Sequence, residues 1–293
     1  MPDIVKALRS GRVLLMDGAM GTELQRAGVA AQDSQKRFWS AASRRRVSAI
    51  HRAYAEAGAE VFLTNSFQAN ALQQVWTVSL QILADGAFAA REIAGPDRFV
   101  LLDSGPFGGD RMQLRATCML TVAKDDRCDG ILLETSSSID DTTYVIASRR
   151  RKKIDPERIP VLLSWTFRRA PDGLLTTIKG HSPERCAKMA VKHQVAALGV
   201  NCGRDIGSAE IVEIIRHYRL VTDLPLFARP NAGTPKQIAG QWVYPETPES
   251  MAAWLPALFE AGVVMVGGCC GTTPAHIAAF RNVVDEWNAS HAP

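Results

Sequence analysis

Eight short apolar runs alternate with longer helical patterns along this chain of 293 residues, and such alternation is typical of parallel β/α units. We expect strands at residues 13–16, 60–63, 99–102, 130–133, 160–163, 196–200, 224–227 and 263–266. Eight units predict an α/β fold of the (β/α)8 TIM-barrel type. No repeat, linker or low-complexity segment divides the sequence, so we predict a single domain over residues 1–293, with a last barrel helix after Ile277.

A polar or cysteine-containing cluster follows each predicted strand. The clusters are Asp17–Thr22, Thr64–Phe67, Asp103–Pro106, Glu134–Thr135, Ser164–Trp165, Asn201–Cys202, Pro230–Gly233 and Gly268–Cys270. In a (β/α)8 barrel the loops at the carboxyl ends of the strands build the active site, so all eight clusters would be neighbours. A doubly wound open sheet is the competing arrangement, and it would bring Cys202 and Cys269 together only if the sixth and eighth strands were close.

Three cysteines lie in two glycine-rich turns, Cys202 in one and Cys269 with Cys270 in the other. Adjacent strand residues point to opposite faces, so the last two thiols can reach one point only where the backbone leaves its strand, and flanking glycines permit such a bend. Three soft ligands with a fourth position open describe a catalytic zinc site. From spacing alone, buried packing cysteines or a redox-active pair are the alternatives. We interpret the remaining cysteines, Cys118, Cys128 and Cys186, as packing residues.

The composition excludes several classes of function. With 46% hydrophobic residues, 22% charged residues and a net charge of +4, the chain is typical of a soluble globular protein. Its basic runs at 44–46 and 149–153 lack interleaved aromatic residues, so we interpret the second as a solvated helix terminus and expect no nucleic-acid partner. We see no signal-peptide pattern and no apolar run long enough for a membrane span, and we expect a cytoplasmic protein whose thiols stay reduced.

Four motifs resemble those of the homocysteine S-methyltransferase family, which includes betaine:homocysteine methyltransferases and the homocysteine-binding module of cobalamin-dependent methionine synthase. They are 17–22 (DGAMGT), 133–135 (LET), 199–202 (GVNC) and 267–274 (GGCCGTTP). The resemblance spans nearly the whole chain and weakens between Ala69 and Asp129, where the helices look abbreviated. It implies a zinc-containing barrel whose ligands are Cys202, Cys269 and Cys270. It also implies Asn231 as an exchangeable fourth ligand, although Asn231 could instead cap the turn after the seventh strand.

The resemblance implies that the enzyme methylates the thiol of homocysteine and forms methionine. For this acceptor we assign Glu134 to the ammonium group, with Asp17 at the same end. We assign the backbone N–H groups of 18–21 to the carboxylate, and Thr64 and Asn65 as second contacts. Loop capping is the alternative role of the two carboxylates. Within that segment, the predicted contact residues are Gly18, Ala19 and Gly21.

The methyl donor is less constrained by the sequence. Betaine or another onium compound would suit aromatic faces, for which Phe67, Trp165 and Phe107 are candidates, although core packing explains them equally well. We find no D-x-H-x-x-G cobalamin signature, so a corrinoid route would require a partner protein. A non-catalytic zinc and thiol binder, and a zinc hydrolase, are the other hypotheses. The sequence leaves the oligomeric state open, a homo-oligomer included.

Overall fold

The computed structural model describes residues 3–29, 41–67, 76–106, 112–203, 205–238 and 241–291. Its central feature is one parallel sheet of eight strands in the order β1-β12-β9-β8-β5-β4-β3-β2, where strands are numbered along the chain. These strands are β1 (Leu14–Leu15), β2 (Val61–Leu63), β3 (Phe99–Ser104), β4 (Gly130–Ser136), β5 (Val161–Trp165), β8 (Ala197–Asn201), β9 (Leu226–Arg229) and β12 (Val263–Val266). A parallel bridge between Met16 and Val61 joins the two end strands. The sheet is thus a nearly closed TIM barrel, as predicted.

Helices alternate with the strands, and most of them cover the outside of the sheet. They are α1 (Ile4–Leu8), α2 (Gly21–Arg26), α3 (Ala41–Glu56), α4 (Trp76–Ala94), α5 (Met112–Val122), α6 (Ile139–Arg151), α7 (Pro183–Lys192), α8 (Ser208–Arg219), α9 (Pro248–Ala252), α10 (Leu255–Glu260) and α11 (Pro274–Ser290). Local signals set several of their starts. At α7, for example, Ser182 accepts a hydrogen bond from the backbone N–H of Arg185, and Pro183 occupies the first helical position. No helix in the described ranges is long and apolar enough to cross a membrane.

Two apolar layers hold the barrel together. The inner layer includes Leu14, Leu101, Leu162 and Phe227, and the first helix adds Ile4 and Leu8 to it. The outer layer packs the other face of each strand against the helices. Because successive strand residues alternate between these layers, each strand is buried on both faces, which explains its continuous apolar run.

The inner layer becomes polar at the carboxyl ends of the strands. The apolar inward residues of five strands are Leu101, Leu132, Leu162, Ala197 and Phe227. Nearer the carboxyl end of each of these strands, the inward positions are filled by polar or charged side chains. They are Asp103, Glu134, Ser164, Asn201 and Arg229, all of them buried. This polar layer forms the floor of the candidate site.

Some details differ from the prediction. Two hairpins were not predicted: β6 (Arg168–Arg169) with β7 (Leu175–Thr176), and β10 (Lys236–Ile238) with β11 (Gln241–Val243). The helices before and after β3 span 19 and 11 residues. Within the basic run 149–153, Arg149 is only 1% exposed and donates from Nη1 to the carbonyl of Ile159, so this end of α6 is not wholly solvated.

Candidate functional site

The three predicted cysteines converge at the carboxyl ends of two strands. The Sγ atoms of Cys202, Cys269 and Cys270 all lie within 4.8 Å of one another. The last residue of β9, a strand that lies between β8 and β12, and the turn that follows it make backbone hydrogen bonds to the loops of all three cysteines. Cys202 N donates to Arg229 O (3.3 Å), Cys269 N donates to Pro230 O (2.8 Å), and Ala232 N donates to Cys270 O (2.9 Å). All three cysteines follow the last residue of their strand. The alternation of strand side chains between opposite faces therefore does not prevent their Sγ atoms from converging.

Unusual backbone conformations make the convergence possible. Cys202 has a φ of 55° and Gly271 a φ of 84°, both in the left-handed region. At Gly268 a Cβ atom would lie 2.3 Å from Thr272 Oγ1, so only glycine fits there. The Thr272 hydroxyl donates to Cys269 O at 2.7 Å and fixes the turn. The glycines around the cysteine pair therefore permit the predicted bend.

The three thiols cannot all ionise by themselves. The pKa of Cys202 is lowered to about 3 because the thiols of Cys269 and Cys270 donate hydrogen bonds to its thiolate. The same bonds raise the pKa of Cys269 to about 11 and raise that of Cys270 as well. One negative charge is therefore favoured and further charges are opposed. A soft metal cation would remove that opposition, so the donor set fits a metal bound by three thiolates.

Two neighbouring side chains support the cluster. Asn201 Nδ2 points to Cys269 Sγ at 3.8 Å, while Asn201 Oδ1 accepts from Ser164 Oγ (2.6 Å) and from Thr135 N (2.9 Å). Tyr244, which follows the second hairpin, is hydrogen-bonded through its side chain to Cys270. Neither residue had a predicted role of its own, although Asn201 belongs to one of the predicted clusters. Asn201 could have been found from its place beside Cys202 at an inward strand end.

Asn231 lies beside the cysteine cluster. Its side chain is hydrogen-bonded to Cys202, and its Nδ2 donates to Gly203 O at 3.4 Å. Its Oδ1 is buried and has no hydrogen-bond partner within the described part of the chain. A buried amide oxygen without a donor is available to a cation, which is consistent with the predicted fourth ligand.

The other predicted site residues surround a buried arginine. Arg229 Nη1 donates to Glu134 Oε2 at 2.6 Å, and Arg229 Nη2 lies 3.6 Å from Asp17 Oδ1 and 3.4 Å from Gly18 O. Asp103 is hydrogen-bonded to Glu134. Three carboxyl groups thus share one guanidinium in a site where all four side chains are buried.

Burial dominates the protonation of this acidic cluster. It raises the pKa of Asp17 to about 7 and that of Glu134 to about 7, although Arg229 counteracts both shifts. The pKa of Asp103 is raised well above its ordinary value by burial and then by the charge of Glu134. A bound group with a positive charge would favour the ionised carboxylates and so lower these raised pKa values.

Arg229 was not predicted as a site residue, and Asp103 had no predicted role. The predicted seventh strand ended at 227, whereas β9 continues to Arg229. The signal was present, because Arg229 stands two residues after the inward Phe227 and directly before the Pro230–Gly233 cluster. A charged residue at that position lines the barrel interior.

The remaining predicted contacts differ in whether they already make hydrogen bonds within the protein. Ala19 N donates to Thr272 Oγ1 at 3.0 Å. Thr64 Oγ1 accepts from Asp103 N at 2.9 Å and shares a hydrogen bond with Ser66. Asn65 Nδ2 is buried and without a hydrogen-bond partner among the described residues, whereas Gly21 is the first residue of α2.

The aromatic candidates divide into different environments. Trp165 is fully buried in the outer apolar layer, so it is a core residue and does not face the site. Phe67 is partly buried, and its ring covers Gly105, where an added Cβ would lie 2.7 Å from it. Phe107 lies outside the described residues.

The predicted packing cysteines are confirmed as core residues. Cys118, Cys128 and Cys186 are buried, and burial raises the pKa of each thiol, to about 12 for Cys128. They therefore remain protonated at neutral pH, unlike a metal ligand.

Known proteins show the same combination of fold and motifs. The family model described as homocysteine S-methyltransferase matches residues 14–284. Methionine synthase of Mycobacterium tuberculosis (strain ATCC 25618 / H37Rv) is 31% identical over 306 residues, which cover 94% of this chain and 25% of that protein. Methionine synthase of Mycobacterium leprae (strain TN) is 30% identical over 325 residues, covering 99% and 26%. The chain thus spans about a quarter of the length of these curated relatives.

Solved structures of an Escherichia coli homocysteine methyltransferase, MmuM, share the fold. The metallated form has a TM-score of 0.75 at 24% identity and covers 96% of this chain and 99% of that one. The apo form has a TM-score of 0.72 at 25% identity and covers 94% and 99%. These likenesses confirm the predicted barrel.

Proposed function

Because this chain belongs to the homocysteine S-methyltransferase family, we propose that it moves a methyl group from a small onium donor, such as betaine, to the thiol of homocysteine and so forms methionine. The predicted family and its methyltransferase class are confirmed by that match. The observation that carries the proposal is the convergence of three thiols within 4.8 Å beside a buried acidic cluster. One part can hold a metal that activates a thiol, and the other can hold an ammonium group.

We propose zinc as the metal, with Cys202, Cys269 and Cys270 as its ligands and Asn231 as an exchangeable fourth. The support is the donor set, because three soft sulfur ligands with an open position suit zinc in a catalytic site. When bound, zinc would lower the pKa of the acceptor thiol, so that the thiolate is available at neutral pH. The buried Oδ1 of Asn231, which has no hydrogen-bond partner in the described ranges, supports the fourth position.

We propose that Glu134 and Asp17 bind the ammonium group of homocysteine. Both carboxylates are buried beside the cysteine cluster, where an ion pair is screened little by water. The backbone amides of Gly18, Ala19 and Gly21 are the proposed carboxylate contacts, although Ala19 would first have to release Thr272. Asn65 Nδ2 has no hydrogen-bond partner in the part of the chain that the structure describes, so it is the proposed donor for a second contact. Thr64 supports the backbone of Asp103 and would act through it.

In the proposed reaction the chain mainly contributes orientation. The thiol releases its proton to water on binding, its sulfur forms a bond to the methyl carbon, and the bond from that carbon to the donor breaks. The donor leaves with the electron pair as a neutral amine or sulfide. Holding sulfur, carbon and leaving group in line is worth several orders of magnitude in rate. Phe67 is the remaining described aromatic candidate for the cationic donor.

A second donor route is favoured by one observation. The chain corresponds to about a quarter of the methionine synthases that it matches, so the equivalent segment in those proteins works beside other segments. A methyl group carried by a partner such as a corrinoid protein is therefore the alternative donor. In both routes, reduced cysteines are needed, which is consistent with our expectation of a cytoplasmic protein.

The test is a donor panel with zinc-loaded protein and homocysteine. Betaine, a sulfonium donor and methylcobalamin are supplied in turn, and methionine is measured, with a Cys269→Ala/Cys270→Ala variant as the control. We expect turnover with one donor and none in the control. Absence of methionine with every donor would refute the proposed transfer. Homocysteine binding without turnover would identify the non-catalytic alternative.

A further inference from the structure

We propose that Arg229 is a positioning residue of the acceptor site, which holds Glu134 and Asp17 in place so that the free oxygens of the acidic cluster receive the ammonium group of the acceptor. This inference rests on the proposed function, since it assumes an acceptor that carries an ammonium group. Arg229, for which the sequence predicted no role, is thereby added to the acceptor site.

The contacts of Arg229 span the separate elements that build the site. The arginine comes from the end of β9, Glu134 from β4, and Asp17 with Gly18 from the turn after β1. Its Nη1 and Nη2 atoms reach Glu134 Oε2 (2.6 Å) and Gly18 O (3.4 Å) at the same time. A planar guanidinium can make such a two-ended contact, whereas the ammonium of lysine is a point charge. The side chain is 3% exposed, so water does not weaken these contacts.

Unused acceptors remain around the arginine. Asp17 Oδ1 and Asp103 Oδ1 are buried and have no hydrogen-bond partner among the described residues, and Arg229 Nη2 is still 3.6 Å from the former. An ammonium group has three N–H donors and no acceptor, so it complements a cluster of carboxylate oxygens. Buried polar atoms without partners are costly, and a ligand that satisfies them recovers that cost.

The charge balance also calls for an incoming cation. Three carboxyl groups, Asp17, Asp103 and Glu134, face one guanidinium in this part of the structure. Arg229 can balance the charge of one carboxylate, so an incoming ammonium group would allow a second carboxyl group of the cluster to ionise. If Arg229 served stability alone, a well-packed apolar residue would serve equally well, because buried ion pairs contribute little net stability. The arrangement is better explained by the geometry that it imposes on the carboxylates.

The experiment compares two acceptors in binding measurements with zinc-loaded protein. One acceptor is homocysteine, and the other is 4-mercaptobutanoate, which keeps the thiol and carboxylate but lacks the ammonium group. Affinities are measured by calorimetry for wild type, Arg229→Gln, Arg229→Lys and the control Arg91→Gln. Arg91 also forms a largely buried pair, with Asp129 Oδ2 at 2.5 Å, but it lies at the opposite end of the strands. Zinc content and thermal melting are recorded for each protein.

We expect Arg229→Gln to weaken homocysteine binding by about 30-fold or more, the usual effect of removing one partner of a buried charge pair. Binding of 4-mercaptobutanoate should change by less than about threefold, because that acceptor makes no use of the carboxylates. Arg229→Lys should lose about tenfold for homocysteine, and it carries the test if Arg229→Gln does not fold. Arg91→Gln should bind both acceptors as wild type does.

Equal losses for the two acceptors, or no loss for homocysteine, would overturn the role of Arg229. Wild-type protein that fails to bind homocysteine would overturn this role and the proposed function together. Wild-type protein that binds homocysteine and transfers no methyl group would refute the proposed transfer alone, because the effect of Arg229 is measured by binding.

Discussion

Asn201 directs its amide nitrogen at Cys269 Sγ, 3.8 Å away, and its amide oxygen is held by Ser164 and by the backbone of Thr135. These two donors fix which end of the amide faces the sulfur. Asn201 thus orients Cys269 from an inward position of β8, the strand that leads directly to Cys202. Neighbours of this kind commonly affect metal affinity by 10- to 100-fold, that is by roughly 1–3 kcal/mol.

We expect Asn201→Ala to lower metal affinity by about 10- to 100-fold with the barrel intact, because it removes the donor to Cys269. Competition with a chelator would measure the affinity. Ser164→Ala is the matched control, since it removes one bond to the Asn201 oxygen and leaves the nitrogen in place, and its effect should be smaller. Equal affinities for Asn201→Ala and wild type would show that the sulfur does not depend on this contact.

We expect Cys202→Ser to lose most of the bound metal and all methyl transfer while remaining folded. The apolar layers on both faces of the sheet dominate stability, so the metal should not be required for folding. Metal analysis and circular dichroism would measure the two properties. Cys128→Ser, a change at a buried cysteine next to the start of β4, should keep the metal. Stoichiometric metal in Cys202→Ser would show that Cys202 is not a ligand.

We expect Glu134→Gln to lower kcat/KM for homocysteine by about 10- to 100-fold, because a neutral amide replaces a charged acceptor of the ammonium group. Steady-state kinetics at saturating donor would measure it. Glu60→Gln is the control, since Glu60 pairs with Arg12 and Arg281 near the amino ends of the strands. An unchanged kcat/KM in Glu134→Gln would place the ammonium elsewhere.

His51 should make stability depend on pH. It is fully buried on α3, neither ring nitrogen has a hydrogen-bond partner among the described residues, and burial lowers its pKa from 6.5 to about 4. Since the unfolded chain binds a proton near pH 6.5 and the native state does so only near pH 4, this contribution is complete above pH 6.5 and is lost as pH falls toward 4. The shift corresponds to about 3 kcal/mol.

Urea unfolding between pH 4 and 7 would test this dependence. We expect the free energy of unfolding of wild type to fall relative to that of His51→Leu as pH decreases from 7 to 4, because only wild type loses the contribution of His51. A His51→Leu curve parallel to that of wild type would contradict the assignment.

The fold was predictable because its strands are buried on both faces, which leaves continuous apolar runs such as Val161 to Leu163. The metal cluster was predictable for a different reason, since only glycine-flanked turns bring Cys269 and Cys270 to one point. The position of a side chain on the inner or outer layer was harder to infer. Trp165 lies at the expected end of its strand. Because side chains alternate between the two faces of a strand, its ring points to the outer layer and not to the inner one.

Contacts between residues that are distant in the chain could not be predicted from the sequence. Arg229, Glu134 and Asp17 are distant in the chain, and nothing in their local sequence says that they share one ion cluster. Arg149 looked solvated because of its basic neighbours, but the carbonyl of Ile159 and the surrounding loops bury it. Such contacts depend on how strands and loops are placed around the barrel.

Asp17 uses its second oxygen, Oδ2, to accept the backbone N–H of Leu63 at 2.9 Å, across the junction between β1 and β2. The Met16–Val61 bridge and the backbone hydrogen bonds from Asp17 N to Val61 O and from Glu60 N to Leu15 O also cross this junction. A proposed ligand-binding carboxylate therefore helps to join the two end strands of the sheet. Occupancy of that carboxylate would restrain local opening, so deuterium uptake at the Leu63 amide should slow when acceptor is added. The backbone itself would then report that the pocket is filled, without turnover.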